Sequence, residues 1–113
     1  MTQQVPSSIK ELMEGLPSAF RPERAQGVKA TIQFNFSGQE PGSWVVKIEG
    51  GKCEVSQGTA ESPNVTINAP SDVWLKIVRR ELDGAAAFMS GQFTFSGDLG
   101  VLMQMQNWFQ PPA

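Results

Sequence analysis

Residues 28–36 read VKATIQFNF, and their pattern decides the fold. Val28, Ala30, Ile32, Phe34 and Phe36 alternate with Lys29, Thr31, Gln33 and Asn35. Strict period two gives a strand with one dry face and one wet face. Gln33 is thereby expected in water. Downstream, SGQEPGS (37–43) is a turn cluster, and WVVKIE (44–49) is a second strand with Trp44, Val46 and Ile48 on one side. Gly50-Gly51 suits a tight hairpin into KCEVS (52–56), where Cys53 and Val55 share a face. After the loop QGTAESP, NVTINA (64–69) is a fourth strand with Val65 and Ile67 inward. Four short alternating strands joined by turns predict a mainly antiparallel sheet with one face covered.

Upstream of the first strand, Ser8 and Glu11 have capping-box spacing. Ile9, Leu12, Met13 and Leu16 follow as one apolar stripe, and Pro17 is expected to end that helix. Downstream of the fourth strand, Ser71 can cap a helix over DVWLKIVRRELD (72–83), with Asp72 placed for the helix dipole. Its main stripe is Trp74, Ile77, Val78 and Leu82, with Leu75 off the stripe and Lys76, Arg79 and Arg80 outward. GAAAFM is a short helical turn, QFTFS a fifth strand, and Asp98 an N-cap for a final helix. The order is helix, four strands, helix pair, strand, helix, which is α+β. One domain over 1–113 is expected: an N-terminal helical segment (1–27), four strands (28–69), helices (71–90), a fifth strand (92–97) and a C-terminal helix (98–109).

That last helix is unusual. Leu99, Leu102 and Met103 make one apolar stripe, continued by Gln106, while Val101, Met105, Trp108 and Phe109 make another. Gln104, Gln106 and Asn107 are polar but uncharged. A helix apolar nearly all round has to be buried or to meet a second apolar partner. Two readings follow: it sandwiches between the sheet and its neighbours or a dimer partner, or one side lines a cavity for an apolar ligand. Methionines at 103 and 105 suit variable ligand shapes and also fill ordinary cores.

Composition narrows the chemistry. With no His and one Cys, a His general base, a Cys–His pair, a Cys/His zinc site and an internal disulfide are all excluded. Cys53 reads as a small buried hydrophobe. No cofactor, metal site or catalytic residue is expected, so the chain is not read as an enzyme. A net charge of −2 and a pI near 5.0 give nucleic-acid binding no electrostatic footprint. The GGK at 50–52 lacks the spacing of a phosphate loop. The start, MTQQVPSS, has no secretory pattern, and NWFQPPA is not a peroxisomal address, so a cytoplasmic location is the expectation.

The run AFMSGQFTFSGDLGVLMQMQNWF (87–109) resembles the C-terminal part of the sterol carrier protein type 2 family. The matching residues are Ala87-Phe88, Gly91, Phe93 to Phe95, Gly97-Asp98-Leu99 and Leu102 to Met105. GSWVVKIEGGKCEVSQG resembles that family's Trp-containing hairpin, and NVTINAPSDVWLKIVRRELDGAAAF its strand-to-helix segment with Asp72 at the helix start. The likeness covers about residues 28–109. It implies a five-stranded sheet covered by helices that enclose an apolar tunnel. It also implies a lipid ligand (fatty acid, fatty acyl-CoA, sterol or phospholipid) carried without chemistry, with at most transient membrane contact. The thin complement of Lys departs from eukaryotic members and weakens docking on anionic membranes. Candidate lining residues are Trp44, Trp74, Ile77 and Val78 from the first part, then Phe88, Met89, Phe93 and Phe95 around the fifth strand. Leu99, Leu102, Met103 and Gln106 complete the set, Gln106 as a head-group donor or acceptor. Arg79 and Arg80 fit either a solvated face or a contact to a carboxylate or phosphate. The alternative function is a protein–protein module, a homodimer or a docking domain for a lipid-metabolising enzyme, using the apolar last helix.

Overall fold

The computed structural model describes residues 8–79, 81–105 and 108. Ten elements follow in order: α1 (Ile9–Ala19), a 3-10 turn (Pro22–Arg24), β1 (Ala30–Ser37), β2 (Gly42–Glu49), β3 (Lys52–Gln57), β4 (Val65–Pro70), α2 (Ser71–Val78), α3 (Gly84–Met89), β5 (Thr94–Gly97) and α4 (Leu99–Met105). The strands form one sheet in the order β3-β2-β1-β4-β5. Three of its pairings are antiparallel, and β1 with β4 is parallel. This is the expected α+β architecture.

Register turns the alternation into a core. Val55, Val46, Ile32 and Val65 lie side by side across four strands, and Trp44, Phe34, Ile67 and Phe95 make the next row. These rows are buried or half-buried, and α1, α2 and α4 pack over the sheet. Residues on one face of a pleated strand recur every second position, so β1 alone contributes Ala30, Ile32, Phe34 and Phe36.

Five local expectations are corrected. Gln33 is not in water: it is 4% exposed, because the loop after β3 folds over its face of the sheet. Its side-chain amide donates to the carbonyls of Gly58 (3.0 Å) and Trp44 (3.3 Å), while its Oε1 accepts the N–H of Ala60 at 2.7 Å. Alternation sorts faces; it does not reveal that a distant loop will cover the polar one. Pro17 lies inside α1, which runs on to Ala19. In the last turn its missing N–H removes one bond only, so the helix tolerates it. Ser71 does not cap α2. It is the first helical residue, with Pro70 in the cap position, and its buried Oγ accepts the Glu40 N–H at 3.0 Å. The helix expected to reach residue 83 stops at Val78, because the N–H groups of Glu81 and Leu82 both turn back to the Lys76 carbonyl. Leu75, read as off the stripe, is core beside Trp74. Strand bounds also shift by one or two residues, β1 beginning late at Ala30 and β5 at Thr94, while β2 begins early at Gly42.

Candidate functional site

The site is built where α3, β5 and α4 meet the open end of the sheet. Asp83 caps α3 by accepting the Ala86 N–H at 2.9 Å. The chain then turns through Ser90 and Gly91, with the Gln92 N–H bonded to the Ala87 carbonyl, and enters β5. At the end of β5, Gly97 holds φ +111°, and a Cβ there would collide with the Asn64 carbonyl oxygen. Only glycine fits this approach. The same carbonyl accepts the Asp98 N–H at 2.8 Å, and Asp98 caps α4 through Gly100 (2.8 Å) and Val101 (3.3 Å), as its sequence position predicts. Beyond α4, Trp108 is 2% exposed, and its carbonyl accepts the Arg21 N–H at 2.7 Å.

Six aromatic rings link this region to the core. Phe36 stacks on Phe34, which meets Trp74 edge-on at 5.5 Å, and Trp74 meets Phe93 edge-on at 5.6 Å. Phe93 then contacts Phe88, and Phe88 contacts Phe95 at 4.9 Å. Edge-to-face and offset pairs of this kind contribute beyond the area they bury. The chain of rings starts fully buried at β1 and surfaces at Phe88.

The structure therefore brings together Trp74, Phe88, Phe93 and Phe95 from the expected lining set. Ile77, Val78 and Leu102 are half-buried against the same core. Trp44 is not with them: it is buried on β2, three strand spacings or roughly 14 Å from β5. Gln106 lies outside the described residues, as do Arg80, Asn107 and Phe109. Four expected residues are exposed: Phe88 (43%), Met89 (85%), Leu99 (54%) and Met103 (63%). They are the exposed large hydrophobics among the described residues, and all come from α3 and α4. The described residues thus present an open apolar surface at this face, and α4 has no buried residue. Two open depressions elsewhere are lined by residues such as Pro22, Val28 and Gly51, or Lys47 and Glu54, none of them expected at the site.

Residues that sequence reasoning missed are polar. Glu40, in the β1–β2 turn, accepts the N–H groups of Ile9 (2.7 Å) and Lys10 (2.9 Å), adding to the cap that the sequence does place, Ser8 accepting the Glu11 N–H at 3.1 Å. No local signal announces a cap supplied from thirty residues away. Burial pushes the Cys53 thiol up to about 11, with the Glu54 carboxylate adding to the effect, so it is a poor nucleophile.

Comparison with known proteins places this geometry. The SCP-2 sterol transfer family model matches residues 9–110, and the chain belongs to that family. Among curated proteins it is 26% identical over 101 residues to hydroxysteroid dehydrogenase-like protein 2 of Xenopus tropicalis, covering 88% of this chain and 24% of the relative. The chain thus spans about a quarter of the length of the curated relatives it matches. Among solved structures, Sterol Carrier Protein 2 Like 2 from Aedes aegypti superposes with TM-score 0.73 at 24% identity, covering 88% of this chain and 91% of that one. A palmitated form of the Aedes protein has also been solved. The sec-alkylsulfatase Pisa1 from Pseudomonas sp. contains the same fold, with TM-score 0.80 at 17% identity over 91% of this chain and 16% of that enzyme.

Proposed function

We propose that this chain is a cytoplasmic lipid-binding and carrier protein that holds a hydrocarbon ligand between α4, α3 and the β5 edge, without chemistry. The observation that carries this reading is the exposure of Phe88, Met89, Leu99 and Met103, where Phe88 of α3 touches Phe93 and Phe95 and α4 packs Val101, Leu102 and Met105 against the core. An apolar surface continuous with a core has a strong tendency to be covered. The family match and the palmitated Aedes neighbour support a lipid as the cover.

The magnitudes suit a carrier. Each buried methylene is worth ~0.8 kcal/mol, so a sixteen-carbon chain supplies on the order of 12 kcal/mol. Association costs roughly 4–15 kcal/mol. Such a balance leaves exchangeable binding with little discrimination between chain lengths. Denaturing extraction and mass spectrometry of the purified protein tests the reading: co-purified lipid is expected. A lipid-free protein that also fails to bind an environment-sensitive long-chain probe at micromolar concentration would refute it.

The same exposed residues favour a second reading, a module that docks on another protein or on its own copy. In longer relatives this domain is one part of the chain. A dimer that resists lipid addition in sedimentation, with α4 protected from proteolysis, would support this module instead.

A further inference from the structure

The exposed apolar face lies in a part of the chain without a single base. The last arginine is Arg80, and from Glu81 onward the sequence holds Glu81, Asp83 and Asp98 but no Lys or Arg. All four exposed large hydrophobics among the described residues belong to this segment. An anionic head group held here would meet no cation from α3, β5 or α4.

Helix N-termini are the other common sockets for anions, because their free N–H groups and dipole favour negative charge. Three of the four helices already fill theirs with the chain's own carboxylates. Glu40 occupies the start of α1 from across the fold, Asp83 that of α3, and Asp98 that of α4. The two caps nearest the apolar face are therefore negative centres, Asp83 holding the Ala86 N–H and Asp98 those of Gly100 and Val101. Among the described cations nearest in sequence, Lys76 is exposed on α2, and Arg79 is half-buried and already engaged. A carboxylate or phosphate brought against Asp83 and Asp98 would give up water for carboxylate neighbours, which costs free energy, and the described Arg21 lies past the far end of α4, where its N–H bonds the Trp108 carbonyl. A hydroxyl or amide head loses far less. Neutral partners for it are at hand in Ser90, Gln92 and Gln104, all exposed.

We infer that this site selects long-chain lipids with an uncharged head group, such as a hydroxyl or an amide, over their anionic counterparts. The inference rests on the lipid-binding reading above and narrows it. It also sets this chain apart from what the palmitated Aedes neighbour would suggest.

The test is a matched pair, dodecanol against dodecanoate, each displacing the uncharged fluorescent probe dansyl-hexadecylamide from the whole chain at pH 9. Partition of the same pair into phosphatidylcholine vesicles corrects for head-group hydrophilicity alone. The expected result is a preference for dodecanol at least tenfold greater on the protein than in the vesicles, narrowing as salt is raised. A protein preference no greater than that of the vesicles, or tighter binding of dodecanoate, overturns the inference and leaves lipid binding intact. Failure of the probe and of both competitors to bind saturably overturns the lipid reading and this inference with it.

Discussion

The two outermost helices of the chain make an instructive pair. α1 is the more polar in sequence, yet it buries Ile9, Leu12 and Met13, and three acceptor contacts satisfy its first N–H groups. α4 has no charged residue within it, yet it buries none of its residues. If hydrophobicity alone set depth, the order would be reversed. What matters is whether a single stripe faces an interior that the rest of the chain has already built. α1 lies across β3 and α2 with one stripe down, whereas α4 carries two stripes and can turn only one toward β4. The surplus is stable in isolation only at a cost, which the proposed ligand or partner would relieve.

The sharpest way to break this contrast is to truncate a methionine on each helix. Met13→Ala should cost about 3 kcal/mol, within the usual range for a fully buried large side chain. Met103→Ala should stay within about 0.5 kcal/mol, as exposed positions do. Urea unfolding of both variants measures it, and equal losses would mean that α4 is packed after all. Next in size, Gly97→Ala should cost about 2 kcal/mol, because it combines a positive φ with a collision on the Asn64 carbonyl. Amide exchange in that variant should quicken in α4 before β1. Glu40→Ala should cost about 1 kcal/mol, typical of a lost N-cap, with the loss appearing in α1. The smallest effect concerns Cys53. Its thiol is raised from 9.0 to about 11, so folding favours the protonated form. That stabilisation is complete below pH 9 and fades as pH climbs toward 11. Alkylation of the folded protein should accordingly lag far behind that of the urea-unfolded chain at pH 8.

Much of the sheet was legible because each strand carries its own face in its alternation, as Ile32, Phe34 and Val46 show. The parallel pairing of β1 with β4 was not, since it depends on the β2–β3 hairpin standing aside at the sheet edge. Long-range polar contacts were equally hidden. Gln33 looks like any wet-face residue until Gly58 and Ala60 arrive over it, and Ser71 looks like a cap until Glu40 claims its hydroxyl. At the site, the aromatic residues of α3 and β5 were readable as a group. Trp44 was not separable from them, because sequence order says nothing about the two strands, β1 and β4, that intervene.

The segment carrying α4 is fastened on both sides, at Asp98 to the Asn64 carbonyl and at Trp108, sunk in the interior and bonded to Arg21. A span anchored at each end cannot swing free like a flap. In the proposed carrier, cargo would come and go with both moorings in place, so its turnover need not begin with unravelling.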